Sequence, residues 1–327
     1  MHENIFHHTD ISNKTFLVTG GAGFIGGHIA EYLLKHHAKK VRVLDNMVNG
    51  FESTISILNK YTAFEFIKGD IRDFETCKKA CDGIEYVSHQ AALGSVPRSI
   101  LEPMYFNDVN VGGFVNILKA SIECNVKCFV YASSSSVYGD EISLPKKEDK
   151  VGNCLSPYAV TKKTNELYAQ VFSEVYGIKL MGFRYFNIFG PRQNPNGPYA
   201  AVIPLFINGI KNKTPVYING DGEQTRDFTY VDNAVQANIK GMLCDNTEAF
   251  NKVYNIAFGE KYSINQLFSL CANELNAQMK PIYRDSRIGD VRDSLADISL
   301  ANKMLGYTPV STFITGIINT IHHLNNN

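Results

Sequence analysis

A chain of 327 residues with 32 basic and 32 acidic side chains buries a large core and has no charge excess with which to hold a nucleic acid. No apolar run reaches membrane-spanning length, and the start MHENIFHHTD lacks the charged-then-apolar plan of a signal peptide. The expectation is a soluble, cytoplasmic protein of two lobes, with neither a nucleic-acid nor a membrane partner.

The first element is an apolar strand, KTFLV (14–18), followed by the run Thr19-Gly20-Gly21-Ala22-Gly23-Phe24-Ile25-Gly26. Next comes HIAEYLLKHH, with Ile29, Leu33 and Leu34 at helical spacing. Strand, glycine turn and helix in that order form the setting of a dinucleotide fingerprint. Gly20 permits the tight turn, Gly23 the close approach of backbone to a pyrophosphate, and Gly26 the packing of helix on strand. The next strand, VRVLD, ends at Asp45, about 20 residues on, where a carboxylate accepts both ribose hydroxyls. A 2′-phosphate there meets like charge, and Arg42 lies too far upstream to receive it. NAD is therefore expected over NADP.

Further strands read at 64–70, 85–91, 127–133 and 179–186, separated by amphipathic helices at 74–81, 114–125 and 158–177. This alternation gives an α/β fold: a Rossmann-type doubly wound parallel sheet with a smaller mixed α/β C-terminal substrate lobe. The expected boundaries are 1–186 for the NAD-binding domain, with a return segment near 231–257, and 187–230 plus 258–327 for the second lobe. Ligands in such sheets collect at the carboxyl ends of strands. Asp70, the run His89 to Ala92 and the run Ser133 to Ser136 fall at three such ends.

Tyr158 and Lys162 are four apart and share one face of a helix. A free phenol has a pKa near 10. An adjacent ammonium and a positively charged nicotinamide both favour the phenolate, which makes Tyr158 a candidate base. Ser134 to Ser136, at a strand end, are placed to pass a proton between tyrosinate and a substrate hydroxyl. The seven cysteines include the spacings Cys77/Cys81 and Cys124/Cys128 but no third or fourth metal ligand nearby, so they read as reduced thiols. The pairs His7/His8 and His36/His37 read as solvated surface, and no metal is expected.

Over essentially its whole length the chain resembles the extended short-chain dehydrogenase/reductases. The resemblance rests on TGGAGFIG (19–26), LDN (44–46), GDI (69–71), HQAA (89–92), SSSVYG (134–139), SPYAVTK (156–162), RYFNIFGPRQ (184–193) and RDFTYVDN (226–233). Within that group it is most similar to UDP-sugar 4-epimerases, above all those acting on UDP-N-acetylglucosamine. The resemblance implies tightly held NAD that is reduced and reoxidised within each turnover. It implies that Gly20, Gly23, Phe24, Ile25 and Gly26 receive the pyrophosphate and Asp45 and Asn46 the ribose. Asp70 and Ile71 would flank the adenine, and Gln90, Ala91 and Ala92 would complete the cofactor site. Tyr158 becomes the base, Lys162 binds the nicotinamide ribose, and Ser134 relays the proton. Ser135, Ser136, Gly94, Ser95 and Arg98 would meet the sugar. Asn187, Gln193, Ala201, Val202, Tyr217, Arg226, Arg287 and Asp290 would grip the UDP portion.

Two departures narrow the choice. Related 4,6-dehydratases carry an Asp-Glu pair where Ser135 and Ser136 stand, and decarboxylating relatives keep a glutamate there. Serine replaces neither acid. Ser294 aligns with a bulky tyrosine of UDP-glucose enzymes, so a small side chain leaves room for an N-acetyl group; the competing role is a cap for a helix starting near Leu295. Arg98 suits a sugar hydroxyl or a uronate carboxylate. A UDP-uronic acid 4-epimerase, a dehydratase or decarboxylase of the same fold, and a non-catalytic NAD-binding regulator stand as the alternatives. The resemblance also implies a homodimer through a four-helix bundle of helices near 109–125 and 158–176, and a place in polysaccharide biosynthesis.

Overall fold

The computed structural model describes residues 2–195, 200–285 and 292–325. The first half runs β1 (Thr15–Thr19), α1 (Phe24–Lys35), β2 (Lys40–Asp45), α2 (Glu52–Leu58), β3 (Phe64–Lys68), α3 (Phe74–Cys81) and β4 (Tyr86–His89). It continues through α4 (Val96–Leu101), α5 (Pro103–Asn107), a π-helical turn at Asp108–Gly112, α6 (Gly113–Glu123), β5 (Cys128–Ser134), α7 (Pro157–Tyr176) and β6 (Leu180–Tyr185). The second half holds β7 (Ile188–Phe189), α8 (Val202–Lys211), β8 (Tyr217–Asn219), β9 (Thr225–Arg226), β10 (Thr229–Tyr230), α9 (Val231–Met242) and β11 (Lys252–Ile256). The last elements are β12 (Tyr262–Ser263), α10 (Ile264–Glu274), β13 (Ile282–Arg284), α11 (Ser299–Leu305) and α12 (Phe313–Asn325).

Seven parallel strands form the main sheet in the order β11-β6-β5-β4-β1-β2-β3. The order reverses between β1 and β4, and a doubly wound sheet opens its ligand crevice at that reversal. Period-two alternation along β1 divides its side chains between two layers. Phe16 and Val18 join Ile29 and Leu33 of α1 and Ala234 and Val235 of α9 on one face. Leu17 faces the other layer with Phe114 and Ile117 of α6 and Ala169 of α7. The fold is thus the expected Rossmann-type sheet. Beyond it, a separate core of Ile207, Phe228, Leu267 and Ile317 gathers α8, α10 and α12 beside the two-stranded pairs β8–β13, β9–β12 and β7–β10.

The helix expected over 114–125 is α6, preceded by the π-helical turn, which periodicity alone does not signal. Of the cysteine pairs, Cys77 and Cys81 share α3 while Cys124 ends α6 and Cys128 opens β5; all seven are free thiols. His8 and His37 are exposed as expected, but His7 and His36 are half-buried against Tyr32, with His7 Nδ1 2.7 Å from the phenol oxygen. No helix among the described residues is long and apolar enough to cross a membrane.

Candidate active site

The loop after β1 fits only glycine at its critical points. Gly20 takes φ +68°, and a Cβ there would stand 2.7 Å from Ala91 N on the loop after β4. The two loops that border the crevice therefore touch, backbone to backbone. A Cβ on Gly26 would meet the Gly20 carbonyl at 2.3 Å, and one on Gly23 would lie 3.2 Å from the same oxygen. α1 starts with no side-chain cap on its free N–H groups, the arrangement that receives a phosphate.

A cleft of about 1030 Å³ runs from this loop across the strand ends. Its walls include Gly20, Gly23, Phe24, Ile25 and Gly26, then Asp45, Asn46 and Ile71, then Gln90, Ala91, Ala92, Gly94, Ser95 and Arg98. Ser134, Ser135, Tyr158 and Lys162 close its centre, and Asn187, Gln193 and Ala201 its far end. A second pocket of about 140 Å³ shares Asn187 with the cleft and is lined by Val202, Tyr217 and Arg226. α8 stands at the junction: Ala201, its N-cap, faces the cleft and Val202 the smaller pocket, again without a side-chain cap.

Three candidate residues, Asp70, Ser136 and Ser294, are found in neither lining. Asp70 sits beside the cleft, where Arg72 pairs with it at 2.8 Å and holds its carboxyl at about 2; Asn46 Nδ2 donates to it at 2.9 Å. Ser136 N donates to Ser134 Oγ at 3.2 Å. Ser294 N donates to Thr225 O on β9. No helix begins near Leu295, since α11 starts at Ser299, so Ser294 caps nothing and the helix-cap role falls away. Arg287 and Asp290 lie outside the described residues.

Asp45 is buried at the end of β2, and each oxygen takes one backbone N–H, from Ala22 at 3.0 Å and Met47 at 2.8 Å. A carboxylate keeps further lone pairs after two such bonds, enough for two hydroxyls. Burial pushes its carboxyl up despite those donors. Arg42 is committed elsewhere, to the carbonyls of Ala80 and Asp82 at 2.9 and 2.7 Å and to Glu65 at 3.0 Å. Among the described residues, the pocket at β2 thus presents acid and no free base, which suits an unphosphorylated ribose.

At the centre, Ser156 caps α7 and Pro157 occupies its first turn, which fixes where Tyr158 leaves the helix. Burial raises the Tyr158 phenol, and Ser134 acts in the opposite direction. The sequence led to the expectation that the Lys162 ammonium lowers this phenol. In the structure Lys162 Nζ donates to the Ala132 carbonyl at 2.7 Å, and burial brings the ammonium down to about 8. Arg98 pairs with Glu102 at 2.9 Å and lies over the Tyr105 ring. Arg226 Nη1 donates to the Thr225 and Arg292 carbonyls.

Sequence reasoning missed Tyr185, whose phenol takes a hydrogen bond from Asn238 at 2.7 Å and lies 3.2 Å from Gln90 Oε1 at the cleft wall. The strand-end rule that selected Ser133 to Ser136 would have found it, because Tyr185 pairs with Ser134 in register.

Fold and site together define a dinucleotide-binding α/β enzyme of the extended short-chain dehydrogenase/reductase type. The chain belongs to the NAD dependent epimerase/dehydratase family, whose profile matches residues 16–257. It is 37% identical over 314 residues to a putative UDP-glucose 4-epimerase of Methanocaldococcus jannaschii, covering 95% of this chain and 98% of that protein. It is 34% identical to the UDP-glucuronate 4-epimerase of Thermodesulfobacterium geofontis, with 94% and 95% covered. Among solved structures it is similar to the UDP-N-acetylglucosamine 4-epimerase of Methanobrevibacter ruminantium M1 in complex with UDP-N-acetylmuramic acid. That match has a TM-score of 0.90 and 38% identity, over 96% of this chain and 99% of that one.

Proposed function

We propose that this enzyme inverts C4 of a UDP-hexose, preferentially interconverting UDP-N-acetylglucosamine and UDP-N-acetylgalactosamine through a 4-keto sugar. The observation that carries the reading is the single cleft that holds the glycine cradle and, at its centre, Tyr158, Lys162 and Ser134. Bound NAD supplies a hydride acceptor that returns the hydride to the sugar, so a tightly held cofactor is recycled without net redox. Tyr158 takes the proton of the C4 hydroxyl through Ser134 and gives it back after the keto sugar turns about its diphosphate linkage. Lys162, anchored on Ala132, offers its remaining protons to the nicotinamide ribose. The open N–H groups of α8 and the guanidinium of Arg226 suit the diphosphate, and Asn187, Tyr217 and Val202 the uridine.

Ser135 and Ser136 give the cleft no acid to expel a hydroxyl or to remove a C5 proton, which argues against dehydration. The relative from Methanobrevibacter ruminantium supports an acetamido sugar. A uronic sugar is the second reading, favoured by Arg98 at the cleft wall. It comes second because Glu102 already neutralises that guanidinium. Retention of both Tyr158 and Lys162 inside the cleft argues against a non-catalytic regulator.

A homodimer through a four-helix bundle belongs to the same reading. Val160, Leu167, Val171 and Val175 form one exposed stripe along α7, 51 to 65% accessible, where a lone helix would carry polar residues. The apolar residues of α6 are mostly core, leaving half-buried Val115 and Ile122 for the partner.

The test is NMR of UDP-N-acetylglucosamine incubated with purified protein and no added cofactor. Formation of UDP-N-acetylgalactosamine supports the proposal. A 4-keto or decarboxylated end product contradicts it, as does turnover of UDP-glucose at an equal or higher rate.

A further inference from the structure

A buried polar cluster behind the cleft joins the helix of the glycine loop to the wall on the sugar side. His28 lies on α1 with no exposed surface, and its Nε2 stands 2.9 Å from the Pro191 carbonyl. A carbonyl only accepts, so the partner assigns the proton to Nε2 and the lone pair to Nδ1. Arg192 Nη2 lies 2.7 Å from that Nδ1 and 2.7 Å from Glu31 Oε2, which is three residues further along the same helix. Burial, with the Arg192 charge second, holds His28 well below the usual imidazole range. It is therefore neutral, the state this pattern of donors requires. His2 extends the cluster, with Nε2 3.0 Å from His28 Nδ1 and Nδ1 2.9 Å from Asp232 Oδ1 on α9.

Ligand-type atoms of His2, His28 and Glu31 lie within 4.8 Å of one another, a spacing that also suits a metal ion. Here the guanidinium already bridges His28 and Glu31, so the cation of this cluster is Arg192. Its side chain is 10% exposed, and its backbone sits at φ +65°, a region that residues with a Cβ occupy only when their surroundings hold them there. The next two residues, Gln193 and Asn194, form part of the cleft wall.

From this geometry we infer that His28 and Arg192 are positioning residues: they latch segment 190–195 onto α1, so that the sugar-side wall is registered against the cofactor helix. Neither touches the reacting atoms. Pro191 and Arg192 are held from one helix, and Gln193 follows directly, its Nε2 donating to the Ile188 carbonyl at 3.2 Å. Loosening the latch frees the UDP-sugar side of the cleft while leaving the glycine cradle, built from backbone contacts between Gly20, Gly26 and Ala91, in place. The inference rests on the UDP-sugar reading above for what the wall meets.

The test compares the NAD-loaded wild type with His28→Leu, Arg192→Met and His28→Gln by hydrogen exchange of segment 188–195 and by calorimetric titration with UDP. Leu and Met remove the polar contacts, whereas Gln keeps a donor for Pro191 and an acceptor for Arg192. In the Leu and Met variants, exchange of the segment is expected to rise about tenfold or more and the UDP Kd about tenfold. Bound NAD per chain and kcat at saturating substrate stay within about twofold, and His28→Gln restores both readouts toward wild type. Unchanged exchange overturns the latch, as does loosened exchange with unaltered UDP affinity, or loss of NAD in step with the loss of UDP binding. Should His28→Leu not fold, Arg192→Met on the loop decides alone. A wild type that binds UDP but epimerises no UDP-hexosamine refutes the proposed substrate while leaving the latch to stand or fall on exchange and UDP titration.

Discussion

Lys162 Nζ donates to the Ala132 carbonyl at 2.7 Å, tying the helix of Tyr158 to the strand that ends in Ser133 and Ser134. One buried amine thus sets the relative position of Tyr158 and Ser134. Its burial has a measurable consequence. The ammonium titrates at about 8 in the folded chain against 10.5 for a free lysine. Between those values the unfolded chain holds a proton that the folded chain has released, so this group makes stability rise with pH across that window. Relative to Lys162→Met, the wild type should gain on the order of 2 kcal/mol between pH 8 and pH 10. Denaturant unfolding of both proteins at the two pH values measures it, and parallel responses would refute the desolvated ammonium.

Ser134 is the group of this chain that acts against burial at the Tyr158 phenol. Ser134→Ala should lower kcat about 10- to 100-fold and move the acid limb of the kcat/KM profile to higher pH, because the phenolate becomes harder to form. A pH–rate profile from pH 6 to 10 separates this from a loss of binding. An acid limb at the wild-type position would deny Ser134 its part.

Gly26→Ala places a methyl group 2.3 Å from the Gly20 carbonyl. No rotamer relieves a Cβ contact with backbone, so the loop must shift, at a cost of about 1–3 kcal/mol. The purified variant should carry little NAD and melt several degrees lower, whereas Gly83→Ala, with nothing near its Cβ, is strained only by its φ of +68° and should keep the cofactor. Absorbance of extracted nucleotide reads the difference.

Glu166, two turns beyond Tyr158 on α7, accepts two bonds from Arg184 of β6 at 2.9 Å each and one from Ser133 at 2.6 Å. Both charges are almost wholly buried, 6% and 2% exposed. Removing one member leaves the other uncompensated, so Glu166→Gln should destabilise by about 3–5 kcal/mol. Lys163→Met, which loses a half-exposed partner of the same carboxylate at 3.5 Å, should cost less than about 1 kcal/mol. Urea midpoints of the two variants decide.

What the sequence made legible was local or periodic. Gly20, Gly23, Gly26 and Asp45 lie within one strand-turn-helix-strand unit, and their spacing is set by the chain itself. Tyr158 and Lys162 line one cleft because a helix repeats every 3.6 residues. Strand ends could be aligned with one another because a parallel sheet brings them to one edge. The rest depends on contacts between distant segments that no window reveals. A helix cap is the competing role that sequence allows Ser294, yet that stretch pairs with Thr225 and Lys146 instead. The spacing puts Lys162 on the same helix face as Tyr158, but only the fold shows its ammonium donating to the Ala132 carbonyl of β5. The same holds for Arg192, which an aligned motif marks but only the fold places against His28 and Glu31.

On the proposed function, the hydrogen on C4 leaves and returns inside one site. The most direct measurement is mass spectrometry and NMR of UDP-N-acetylglucosamine deuterated at C4 after incubation in ordinary water without added NAD. Deuterium retained at C4 of the UDP-N-acetylgalactosamine product, with no turnover by NAD-loaded Tyr158→Phe, is the predicted result. Loss of the label to solvent during epimerisation, or near-normal turnover by the phenylalanine variant, would contradict the account.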